Sequence, residues 1–193
     1  MILTDSNSGD FILRFDFIKI ILIFPKSLLL SRQIIKKNVI KMLKEGDNAP
    51  KGLVLPDQDG KLINLDDFKG QKLVIYTYPK DNTPGCTIEA KKFRNHIKEY
   101  DEKGIKIIGI SADSVKSHKN FHDKHNLNFT LLSDKEGKKA LKSFGALSGG
   151  FTKRRTWLID ENWKIEKVYE KVSAGKHNKE LSEYYGLNLP AED

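Results

Sequence analysis

Lys72 to Ala90, KLVIYTYPKDNTPGCTIEA, holds a strand, a tight connection and the first turn of a helix, and the rest of the fold is arranged around it. Lys72 to Tyr78 is a nearly unbroken apolar run of the kind found in strands covered on both faces. Pro79, with no N–H to offer a ladder, ends it. Ala90, Phe93, Ile97 and Tyr100 then recur at steps of three and four, which predicts a helix over residues 84–102 with one apolar stripe, ended by Gly104. Thr83 suits the N-cap, Pro84 the first helical position, Gly85 the second and Cys86 the third. The Thr83 hydroxyl is expected to accept from the Cys86 backbone N–H. Cys86 then sits in the first turn of a helix at the carboxyl end of a strand, where unpaired N–H groups and the positive end of the helix dipole favour thiolate over thiol. A lone cysteine is more often a small buried hydrophobe. Its place one turn into a Thr-capped, Pro-started helix argues for a nucleophile instead.

Outward from this unit, strands and helices alternate without an internal repeat. A polar turn at Asp57–Lys61 precedes a short strand at Leu62–Leu65. After the helix come a buried-type strand at Ile105–Ser111, a helix capped by Ser114 and running to about His125, and a strand at Phe129–Leu132. A helix over residues 136–144 stops at Gly145, and a Gly-rich stretch, Ala146–Thr152, reads as a flexible loop. Strands at Thr156–Asp160 and Lys164–Val172 flank a turn at Asn162, and a last amphipathic helix covers Lys176–Tyr185. This order predicts an α/β sandwich, a mixed central sheet with helices on both faces.

The chain is long enough for one good-sized domain, and its 38% hydrophobic and 31% charged residues exclude collagenous, disordered and multispanning classes. One cysteine excludes an intramolecular disulfide and a zinc site of several thiolates, and points to a reducing, cytoplasmic compartment. The formal charge of +8 does not form a basic stripe. Residues 1–41 hold seven basic and three acidic side chains, half of the excess, and elsewhere the signs are interspersed, so no nucleic-acid partner is expected. Residues 11–30 are rich in apolar side chains, but Arg14, Asp16, Lys19, Lys26 and Pro25 interrupt them, which argues against stable membrane insertion. Asp5 and Asp10 and the lack of a small-residue cleavage site argue against a secretory signal. Residues 1–41 are therefore expected to lie outside the domain, which begins at Met42 as a candidate true start and runs to Asp193. The alternative for residues 11–24 is a membrane-surface helix.

Pro79-x-x-x-Thr83-x-x-Cys86 resembles the active-site signature of the peroxiredoxins, and TPGCTIEA is similar to their bacterioferritin comigratory protein, or peroxiredoxin Q, branch. EGDNAP, LPDQDGK, VIYTYPKDNTPGCT, GISADS and TWLIDE occur in that branch's order and spacing, so the resemblance covers roughly residues 42–187. It implies a thioredoxin-like three-layer α/β/α sandwich and a thiol peroxidase, with no metal and no other cofactor. By this resemblance Cys86 is the peroxidatic nucleophile, Thr83 holds the peroxide or thiolate, and Pro79 and Pro84, with Gly85 between Pro84 and the sulfur, shape and shield the site. An arginine belongs beside the sulfur; strand alternation allows only one of Arg154 and Arg155 to face it, and the family's spacing to the TWLID stretch selects Arg154. Glu89 matches a position that orients an arginine in relatives, although on a helix surface it reads nearly as well as a solvated carboxylate.

The chain departs from that branch at Lys91, where many members carry a resolving cysteine. A one-cysteine enzyme follows, whose partners are a hydroperoxide substrate and an external thiol: thioredoxin, glutaredoxin, glutathione or Cys86 of another chain. A monomer or weak dimer is expected. The loop between Gly145 and Arg154 is also shorter than in relatives and lacks a tryptophan. His118, His122 and His125 share a predicted helix but, interleaved with Lys116, Lys119 and Lys124, read as a solvated face rather than a metal site. Ser148-Gly149-Gly150 lacks the features of a phosphate loop. Trp157, Trp163, Tyr76, Tyr78 and Phe93 read as core, with Tyr78 bordering the site. Among other activities, a cysteine hydrolase lacks a recognisable base and a disulfide oxidoreductase lacks a second cysteine, whereas a redox sensor with little turnover would use the same thiol.

Overall fold

The computed structural model describes residues 41–189. The expectations for the extension over residues 1–41 lie outside the described residues, Lys41 excepted. A five-stranded sheet is built on β3 (Lys72–Thr77), flanked by β4 (Ile105–Ser111) and β8 (Arg155–Ile159), with β5 (Thr130–Ser133) and β9 (Ile165–Tyr169) at its edges in the order β5-β4-β3-β8-β9. β3, β4 and β5 are parallel, while β8 and β9 are antiparallel to their neighbours. The sheet is mixed with helices on both faces, as the order of elements predicts, and the fold is the thioredoxin-like sandwich that the resemblance implies.

Strand parity divides the core in two. Leu73 and Ile75 of β3 join Trp157 and Ile159 of β8 on one face, under α3 (Lys139–Phe144) and a 3-10 turn at Leu65–Phe68. Val74 and Tyr76 join Leu158 on the other, under α1 (Pro84–Glu102), α2 (Val115–Lys124) and α4 (His177–Tyr185). The two parallel crossovers, β3-α1-β4 and β4-α2-β5, continue in one direction across the sheet, so a common handedness places both helices on the same face. Gly109 on β4 makes room for the Tyr76 ring: a Cβ there would stand 2.8 Å from the phenol carbon and oxygen.

Where the elements differ from expectation, local backbone explains it. α1 spans the expected residues, but α3 begins only at Lys139, because Lys138 has the left-handed φ of 51° that no helix accommodates. The expected loop at residues 146–152 is a hairpin, β6 (Leu147–Ser148) and β7 (Phe151–Thr152), turned by Gly149 and Gly150 at φ 59° and 83°. Two glycines in succession at positive φ make the tight hairpin turn that matches strand twist. β1 (Val54–Pro56), paired antiparallel with β2 (Leu62–Asn64), is too short for periodicity to reveal. β9 stops at Tyr169 rather than Val172.

The described chain is tied into the domain from its start. The Leu43 N–H donates to the Phe144 carbonyl (3.3 Å), and Trp157 Nε1 donates to the Leu43 carbonyl (3.3 Å). Gly145 ends α3 at φ 74°, and a Cβ on it would lie 2.2 Å from Met42 Cα. Gly104 has a similar φ of 68° with open space around it. Gly104→Ala is expected to cost about 1–2 kcal/mol, the conformational term alone. Gly145→Ala should cost clearly more, because the Met42 backbone must move as well. Paired urea unfolding curves check this, and equal losses would contradict the packing of Met42 against this turn.

Candidate active site

The sulfur of Cys86 lies at the first turn of α1, where the chain leaves the carboxyl end of the central strand β3. Thr83 is the N-cap with extended backbone (φ −83°, ψ 150°), and Pro84 opens the helix. The Thr83 carbonyl accepts from the Thr87 N–H (2.9 Å), but its hydroxyl donates to the Lys80 carbonyl (3.0 Å) and caps no helix N–H. The expected bond from the Cys86 N–H to this hydroxyl is therefore not made. The connection is tight, with Asn82 at φ 58°, and the hydroxyl is drawn back across it. Pro79 and Pro84 are both exposed on the outer side of this connection.

Cys86 is only 2% exposed and packs with Val74, Tyr76, Tyr78, Ala90 and Phe93. Arg154 reaches it from the segment just before β8, and its Nη2 stands 3.0 Å from Sγ. Its other terminal nitrogen, Nη1, donates to Glu89 Oε2 in a close ion pair. Arg154 shares strand parity with Thr156 and Leu158, which face α1, whereas Arg155 turns to the opposite face and donates to the Gly145 carbonyl (2.5 Å). Alternation thus selects the arginine, even though Arg154 itself precedes the strand. Gly85 leaves room for this geometry: a Cβ there would lie 3.3 Å from Nη2, a tight contact, and 3.8 Å from Ala174 Cβ.

Glu89 is buried rather than on the surface. It stands three residues after Cys86 and four before Phe93, so it belongs to the buried stripe of α1, a signal present in the sequence. Burial pushes its carboxyl up to about 7, against the pull of Arg154. Burial also opposes the charge of Arg154, but Glu89 and the Cys86 sulfur outweigh it and raise the guanidinium further. Tyr76 lies beside this group; burial, then Glu89 and Cys86, hold its phenol well above the usual range, and its hydroxyl has no hydrogen-bond partner among the described residues. The site can thus present a sulfur nucleophile to a small electrophile with a fixed positive charge at its side.

Two buried histidines frame the site. His177, at the start of α4, faces Thr156 Oγ1 through Nε2 (2.8 Å) and Glu180 through Nδ1 (3.4 Å). Burial, aided by the Arg154 charge, pushes it down to about 4, against the pull of Glu180. His118 is wholly buried against Asp81, which corrects its reading as part of a solvated face. It lies three residues before the buried Phe121 and shares that face, while His122 and His125 lie at the margin. Among the described residues, no three His, Cys, Asp or Glu side chains are grouped to hold a metal. No described helix is long and apolar enough to cross a membrane.

Residues 46–168 match the AhpC/TSA family. Peroxiredoxin Bcp of Escherichia coli K12 is 41% identical over 143 residues, covering 70% of this chain and 91% of that protein. Among solved structures, the Xanthomonas campestris bacterioferritin comigratory protein, studied for alkyl peroxide reduction, superposes with a TM-score of 0.67 at 31% identity, covering 72% of this chain and 98% of its own. PrxQ of Xylella fastidiosa gives a TM-score of 0.73 at 28% identity, over 76% and 97% of the two chains. A helix that starts at Thr83 and Pro84 with its cysteine under an arginine, on this sheet and with these relatives, leaves one assignment: the chain belongs to the AhpC/TSA family, in the bacterioferritin comigratory protein and peroxiredoxin Q branch of the peroxiredoxins.

Proposed function

We propose that this peroxiredoxin reduces hydrogen peroxide and organic hydroperoxides as a one-cysteine enzyme. The observation that carries the reading is the contact of Arg154 Nη2 with Cys86 Sγ, 3.0 Å apart, in the first turn of α1. The Cys86 thiolate attacks the terminal peroxide oxygen; an S–O bond forms as the O–O bond breaks, and the departing oxygen takes a proton and leaves as water or an alcohol. Sulfur is oxidised by two electrons and the peroxide is reduced by the same two. Arg154 stabilises the thiolate and the charge that builds on the breaking O–O bond, while Glu89 orients the guanidinium. Thr83 and the Pro79–Pro84 connection shape the approach to the sulfur.

With no other cysteine in the 193 residues, the sulfenic acid is resolved from outside. A first thiol displaces water to give a mixed disulfide, and a second thiol attacks it and returns Cys86. Thioredoxin, glutaredoxin, glutathione or Cys86 of a second copy supplies this chemistry in a monomeric or weakly dimeric protein. The lone thiol supports a reducing, cytoplasmic setting. All the residues named lie between Pro79 and Arg154, within the domain over residues 42–193 that the sequence delimits.

Three outcomes are expected. One equivalent of hydrogen peroxide should add about 16 Da to the intact protein, trapped at Cys86 by dimedone and absent in Cys86→Ser. Slow or absent labelling would remove the peroxidase reading, and fast labelling with negligible turnover under every thiol would favour a sensor. A chain starting at Met42 should keep the oxidation rate of the full chain. Because the folded Glu89 carboxyl titrates near 7, above its ordinary value, its pair with Arg154 becomes fully charged only as pH rises through that value. The ratio of wild-type to Glu89→Gln peroxide rates should therefore grow between about pH 6 and 8. A flat ratio would show that Glu89 does not tune Arg154.

A further inference from the structure

The connection that carries Thr83 and leads into Cys86 is held by a buried polar cluster that the proposed chemistry does not itself use. Asp81, at its centre, is 5% exposed. Its Oδ1 accepts from the Tyr78 hydroxyl (2.8 Å) and its Oδ2 from Ser117 Oγ (2.7 Å). His118 Nδ1 stands 2.9 Å from Oδ2 and 3.1 Å from Oδ1. On the far side of the ring, Nε2 lies 3.2 Å from the Leu132 carbonyl at the end of β5. A carboxylate and a carbonyl both only accept, so each of these contacts is a hydrogen bond where the ring nitrogen carries its proton, and the Tyr78 hydroxyl also lies 3.3 Å from Nδ1. The Asp81 backbone N–H donates to Asp113 Oδ2 (3.0 Å), which also accepts from Ser111 Oγ at the end of β4 (2.7 Å). Burial opposes the charge on Asp81, but His118, Ser117 and Tyr78 outweigh it and hold the carboxyl below its usual value.

These contacts join α2 and the ends of β3, β4 and β5 at one point of the Pro79–Thr83 connection. We infer that Asp81 and His118 form a buried hydrogen-bonded clamp that positions this connection, and through it the Thr83 hydroxyl and the Cys86 sulfur, for reaction with the peroxide. Asp81 and His118 are positioning residues, since neither is placed against the sulfur. Asn82 supplies the reason a clamp is needed: its φ of 58° is a conformation an L-residue leaves readily unless its surroundings fix it. A displacement of about 1 Å at the reacting sulfur is enough to cost a rate on the order of 100-fold. Simple space-filling at residue 118, with no donor toward Asp81, would hold the chain together without fixing that distance.

The inference rests on the peroxidase reading, and the test separates the two. In full-length protein, His118→Asn keeps a donor near the Nδ1 position, toward Asp81, and loses the one toward Leu132; His118→Gln does the converse. Three quantities are compared in these two variants, in His118→Leu and in Asp81→Asn: the rate of Cys86 oxidation by hydrogen peroxide, its alkylation by iodoacetamide, and amide hydrogen exchange in residues 79–87. For His118→Leu and Asp81→Asn, peroxide oxidation should fall on the order of 10- to 100-fold, alkylation should hold or rise, and exchange in residues 79–87 should quicken while β3 and β4 stay protected. His118→Asn should recover much of the peroxide rate and His118→Gln little. Folded variants that oxidise within about twofold of wild type, or that lose both reactions together with protection across the whole domain, would overturn the clamp. So would equal behaviour of the Asn and Gln variants. If wild-type Cys86 itself reacts slowly with peroxide, the peroxidase reading fails, and the exchange comparison still decides whether the clamp holds the connection.

Discussion

A guanidinium carries one positive charge, and in this fold two acceptors share it. Arg154 offers Nη1 to Glu89 and Nη2 to Cys86, with the sulfur almost sealed from solvent. At such separations and partial burial, each charge-charge contact has a gross strength of a few kcal/mol, enough to govern reactivity and also enough to be costly if one partner is missing. Gly85 leaves space for Nη2 and Ala174 bounds that space. Strand parity at Thr156 and Leu158 aims Arg154 toward α1, and the central position of β3 sets Cys86 opposite. The architecture around the sulfur is arranged to keep one fork of nitrogens between one carboxylate and one sulfur.

The parts of this arrangement that depend on local rules were legible in the sequence. Thr83 and Pro84 announced the helix start, the stripe Ala90, Phe93, Ile97 and Tyr100 gave its length, and alternation allowed only one of Arg154 and Arg155 to face the sulfur, the resemblance choosing Arg154. What escaped depends on contacts distant in sequence or on single torsions. The Thr83 hydroxyl bonds backward to Lys80 because of the tight turn at Asn82, which composition does not reveal. His118 reads as polar among lysines, yet its partner lies 37 residues earlier at Asp81. Lys138, at positive φ, shortened α3, and two consecutive glycines closed a hairpin where a loop was expected. For Glu89 the two signals conflict: a carboxylate suits a helix surface, while its spacing to Cys86 and Phe93 places it in the buried stripe.

A buried sulfur suits one half of the proposed cycle and constrains the other. A hydroperoxide is small, and burial of the sulfur strengthens the arginine's charge beside it. A thiol reductant is larger, and a sulfur that is 2% exposed obliges the first turn of α1 or the connection before it to yield during resolution. The cluster at Asp81 and His118 therefore bears on both halves: it fixes the geometry for oxidation and sets how readily the same segment opens. The exposed Lys91 leaves α1 with no second thiol to deliver, so its only evident task in the reaction is to hold Cys86 and Glu89 in register.

The most direct test of this account is the second-order rate of Cys86 oxidation by hydrogen peroxide, measured by stopped flow in wild type, Arg154→Ala and Arg154→Lys. A loss of about 100- to 1000-fold in Arg154→Ala is expected for removing a preorganised donor from the reacting atoms. Arg154→Lys should recover little, because a point charge cannot span the carboxylate and the sulfur as a planar fork does. Rates within a few-fold of wild type in both variants would contradict the account, since the sulfur would then owe its reactivity to the helix terminus alone.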